Sequence, residues 1–79
     1  MKPDRDGLIK KFGDRGLGQL SAERLADLLV TRWQSGPGKW VVNSGEGSFR
    51  AARGGDVIYE TPSQIIAGTI ADVLNELGA

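Results

Sequence analysis

Side chains able to do covalent chemistry are scarce in this chain. Its 79 residues include no histidine and no cysteine, so the commonest general base and the strongest common nucleophile are both missing. Carboxylates remain, and Asp72 and Glu76 fall one helical turn apart on one face, where solvated charge is the ordinary state of such a pair. Without histidine or cysteine there is no ligand set for zinc, and the acids are too scattered for a calcium loop. The stretch Ser44-Gly45-Glu46-Gly47-Ser48 has the glycines of a phosphate-cradling loop. It lacks the lysine and the following helix of such loops, and its central glutamate would repel an anion. The expectation is a protein that is not an enzyme, needs no cofactor and acts by binding.

Charge points to where binding would occur. Ten basic and ten acidic residues give a net charge of zero, but they are unevenly placed. Residues 1–53 hold all ten bases and six acids, +4, and residues 54–79 hold four acids and no base, −4. Glu60, Ile65, Thr69, Asp72 and Glu76 form a first candidate surface, an acidic stripe along the last helix and the end of the strand before it. Like charges at i and i+4 cost an isolated helix a few tenths of a kcal/mol, and Ile65 lies in the same stripe without helping the core. A second candidate surface is basic: Lys39, Val41, Arg50 and Tyr59 on one face of a sheet, near Arg53 and Val57. The ordinary alternatives are a solvated helix face for the first, and for the second an N-terminal arm whose Leu8, Ile9 and Phe12 cover the sheet. Asp56 is expected to neutralise Arg53. The acidic stripe has no compensating base in its own segment, so it is the preferred site.

These surfaces need elements to hold them. Hydrophobic residues at 39% and charged residues at 25% are ordinary globular usage, and a chain this short has one core, so 1–79 is read as one domain with an N-terminal arm (1–19) and a folded core (20–79). Leu8, Ile9 and Phe12 predict a short helix before Gly13. Ser21 as cap and Ala22, Leu25, Ala26, Leu28, Leu29 and Trp33 on one face predict a helix over 21–34. From Lys39 the period changes to two, giving strands at Lys39–Asn43, Ser48–Arg53 and Asp56–Glu60, with Gly54-Gly55 as a two-residue hairpin loop. A loop at 44–47 would pair Trp40 with Ala51 and Val42 with Phe49. The second hairpin would pair Ala51 with Ile58 and Arg50 with Tyr59. Trp40, Val42, Phe49, Ala51 and Ile58 then face the core. Thr61 caps a last helix with Pro62 in its first position, running to about Leu77. The fold class is α+β: αβββα with a three-stranded antiparallel meander, two amphipathic helices on one face and a short N-terminal helix.

The αβββα order is similar to that of the double-stranded RNA-binding domain. That family places a basic cluster at the start of its final helix, where this chain has Thr61, Pro62, Ser63 and Gln64 after Glu60, so no RNA-binding role is carried over. In size, composition, absence of catalytic residues and polarised charge, the chain resembles small phage and mobile-element inhibitors of the anti-CRISPR type. That resemblance implies stoichiometric inhibition of a host nucleic-acid-handling complex, such as a CRISPR effector, through surface charge and shape. The expected partner is therefore a protein. One alternative is a nucleic-acid-binding or regulatory module using the basic sheet face, disfavoured because three charges give weak, salt-sensitive affinity. Another is a structural or assembly protein. The monomer or a weak dimer is expected, with no membrane partner, and the absence of cysteine suits a reducing cytoplasm.

Overall fold

A computed structural model of the chain describes residues 2–78. The elements are α1 (Arg5–Asp14), α2 (Gln19–Arg32), β1 (Val41–Gly45), β2 (Ser48–Arg53), β3 (Asp56–Thr61) and α3 (Gln64–Glu76). The three strands form one antiparallel sheet in the order β1-β2-β3, so the fold is α+β as the periodicities predict.

Each helix has a local cause. In α1 the Asp4 carboxylate accepts from the Gly7 N–H at 3.1 Å, satisfying a donor the helix cannot. Leu8 and Phe12, four residues apart, are fully buried on its inner face. α2 begins two residues before the expected start, capped by Gly18 with no side-chain bond, and ends at Arg32, because Trp33 is already extended. That early exit lets the chain after Trp33 run over Arg53, whose Nη2 donates to the Gln34 carbonyl at 2.5 Å. The cap of α3 is Ser63, whose hydroxyl accepts from the Ile66 N–H at 3.2 Å, and not Thr61. Thr61 ends β3 instead, and its hydroxyl accepts from the Ser63 N–H at 3.1 Å.

The sheet register differs from expectation in both hairpins. The first loop is Glu46-Gly47, with φ of 44° and 80°, the left-handed pair that matches the twist of a two-residue hairpin. It pairs Val42 with Ala51 and Ser44 with Phe49, displacing the expected pairs by two positions and so preserving the faces. In the second hairpin Arg53 pairs with Asp56 and Ala52 with Val57, as expected. An irregularity between Ala51 and Ala52 then places Tyr59 opposite Ala51 and Glu60 opposite Arg50. A bulge adds one residue to one strand, so Ile58 and Tyr59 both meet the core while Glu60 goes to the far face.

α3 packs across all three strands, α2 lies nearest β3, and the backbone of α1 lies against α2 and α3. The arm therefore does not cover the open sheet face. It supplies Leu8 and Phe12 to a core shared with Leu25, Leu29, Trp40, Ala51, Ile58, Ile70 and Leu74. Of the five residues expected to form the sheet's core side, Trp40, Ala51 and Ile58 are buried and Val42 packs half-buried against them. Phe49 is only half-buried, because the shifted register seats it between Ser44 and Thr61 at the sheet's end.

Candidate partner-binding surface

The acidic stripe is closed by the chain itself. Lys11 Nζ lies 3.2 Å from Glu76 Oε1 and Arg15 Nη1 lies 3.5 Å from Asp72 Oδ2, while Arg15 Nη2 also bonds Glu76 Oε2. The bond from Lys11, reinforced by Arg15, holds the Glu76 carboxyl below its ordinary value despite some desolvation. The stripe has no base in its own segment, as expected, but it is compensated from outside that segment. The bases arrive from α1 and the residue that caps its C-terminus, more than sixty positions from Glu76 in sequence, because Leu8 and Phe12 bury that helix beside α3. Thr69 is half-buried on the same helix and Ile65 is exposed at its first turn.

Glu60 does not join the stripe. It lies on the open sheet face, where its Oε2 accepts from Ser48 Oγ at 2.9 Å and from Arg50 Nε at 2.8 Å. These bonds, Ser48 first and then Arg50, lower its carboxyl's pKa. The basic surface is therefore also neutralised at Arg50, leaving Lys39 and Val41 exposed. Tyr59, assigned to that surface from sequence, packs half-buried against the core on the other side. Although the two are partners in the ladder, the Arg53 side chain makes no ion pair with Asp56 among the described residues. It is 4% exposed, its guanidinium lies 4.3 Å from the centroid of the Trp40 ring, and Gly36 packs close to it.

The two sequence-derived surfaces nevertheless share a site. Tyr59 from one and Ile65 from the other line a single groove of about 660 Å³, together with Leu17, Arg24, Leu28 and Ile66. The turn after α1 delivers Leu17, whose N–H donates back to the Phe12 carbonyl at 3.1 Å. The bulge in β3 turns Tyr59 inward, and the Ser63 cap fixes the turn from which Ile65 projects. Leu25 is buried beneath, Leu17, Leu28, Tyr59 and Ile66 are half-buried, and Ile65 is 80% exposed. Two arginines, Arg15 and Arg24, stand in the lining and no acidic residue does. The groove thus offers an apolar seat with cationic donors at its rim.

Leu17, Arg24 and Leu28 carry no local sequence signal of a site. Leu28 reads as part of the buried stripe of α2 and Arg24 as solvated, and only their packing beside β3 joins them to Ile65. No protein-family profile matches the chain, and neither a curated protein nor a solved structure matches it.

Proposed function

We propose that this protein acts without catalysis, by binding a protein partner in the groove around Ile65. The observation that carries this reading is Ile65 itself, 80% exposed on a capped helical turn beside the half-buried Leu17, Leu28 and Tyr59. Single exposed apolar residues are normal on protein surfaces, but this one continues an apolar groove. Covering such a side chain contributes about 1.5–3 kcal/mol, on a scale that suits an interface anchor. Stoichiometric inhibition of a host nucleic-acid-handling complex, such as a CRISPR effector, is the role the sequence suggests. The groove supports its binding step, while the closed acidic stripe no longer does.

The test uses the partner recovered from the native host lysate by the wild-type protein and identified by mass spectrometry. Titrated with that partner, Ile65→Asp should lose binding while keeping native circular dichroism and a near-wild-type Tm. Intact binding by Ile65→Asp, with loss in Val41→Asp, would move the site to the open sheet face.

A further inference from the structure

The partner's chemistry can be read from the groove's charge. Twelve residues line it, two of them arginines and none acidic. Arg15 is already engaged by Asp72 and Glu76, whereas no carboxylate of the described residues pairs with Arg24, which is exposed on α2. A basic segment entering here would meet Arg24 and no acidic side chain in the lining itself. An acidic one would meet an unused cation beside an apolar floor, where partial desolvation strengthens a charge-assisted hydrogen bond.

Resting on the groove as the binding site, we infer that its occupant is an acidic amphipathic peptide segment of a partner protein, with a carboxylate on Arg24 and an apolar side chain seated among Leu17, Leu28, Tyr59 and Ile65. The apolar contact supplies most of the affinity, and the arginine supplies orientation and selection against basic segments. A small anionic amphiphile suits the shape less well. Ile65 stands as an exposed ridge, so a compact ligand would keep much of its surface in water, against the 70–90% burial usual for such ligands. Two cations are also too few for firm nucleic-acid binding.

Two synthetic peptides with the same leucine positions test this, one with glutamates and one with lysines at the intervening sites. Each is titrated into ¹⁵N-labelled protein by NMR and followed by fluorescence at low and high salt. The glutamate peptide should shift the amides of Leu17, Arg24, Leu28, Tyr59 and Ile65 and bind more weakly at high salt. Arg24→Glu should weaken it at least about tenfold, and Arg24→Gln by less, as expected for loss or reversal of a charge contact. Equal binding of the lysine peptide, or an unaltered Kd in Arg24→Glu, would overturn the acidic assignment while leaving the groove in place. Shifts confined to another face, or undiminished binding by Ile65→Asp, would overturn the groove. Failure of both peptides at millimolar concentration would also overturn the inference, and the titration with the captured partner would then judge the groove separately.

Discussion

Phe12 and Phe49 are the chain's two phenylalanines, and their positions invert what the strand pattern implies. Phe12 is fully buried between α1 and the rest of the core, while Phe49 is only half-buried at the sheet's end. Truncation cost follows burial and the cavity left behind. Phe12→Ala is therefore expected to destabilise by about 3–5 kcal/mol, and Phe49→Ala by less than about half of that, measured by urea unfolding with a common slope. A larger loss at Phe49 would show that the first hairpin carries the expected register after all. Alternation along β2 correctly separates Ala51 from Arg50, but it is blind to which end of the strand the helices cover. Arg53 illustrates the same limit. Its type and place suggest an exposed partner for Asp56, and the ring of Trp40 with the passing 33–38 segment takes it inward instead.

At the scale of elements, the sequence displays its helices and its Gly54-Gly55 turn plainly, because apolar spacing and a glycine pair are local signals, although the expected caps Ser21 and Thr61 give way to Gly18 and Ser63. The bulge in β3 is not a local signal. Nothing in Asp56–Thr61 announces that Ile58 and Tyr59 will share a face, and that one displacement moves Tyr59 into the groove and Glu60 out of the acidic stripe. The place of α1 is equally non-local, since its bases find Asp72 and Glu76 only once the core has formed. That contact carries a pH signature. Glu76 has a folded pKa below its ordinary 4.5, so its contribution is fully present above that value and is lost as the pH falls through the lower, folded one. Wild type should consequently exceed Glu76→Gln in Tm at neutral pH, and the gap should close on acidification below about pH 4.5. A gap that is constant across the titration would mean that Lys11 and Arg15 do not hold the carboxylate in solution.

Over the whole molecule, the +4 and −4 halves of the sequence fold against each other, through α1 with α3 and through Arg50 with Glu60. The polarity that resembles a partner-seeking surface is in large part an internal pairing, and the residual cation of the groove becomes visible only after those pairs are subtracted. The sheet, too, has its own margins. Just before β1, the Asn75 side-chain amide accepts from the Trp40 N–H at 2.8 Å and donates to the Trp40 carbonyl at 2.9 Å, the two bonds a neighbouring strand would make. On the opposite side, Arg32 Nη1 reaches the Ile58 carbonyl at 3.5 Å beside the bulge. Asn75→Ala should cost about 2 kcal/mol, roughly 1 kcal/mol for each lost hydrogen bond. It should also raise light scattering in concentrated samples, with wild-type behaviour of the variant counting against any such guarding role. A lone side-chain amide on the last turn of α3 thus makes at Trp40 the two bonds that an added strand would make there, and obstruction of strand addition at that one position is what the scattering measurement tests.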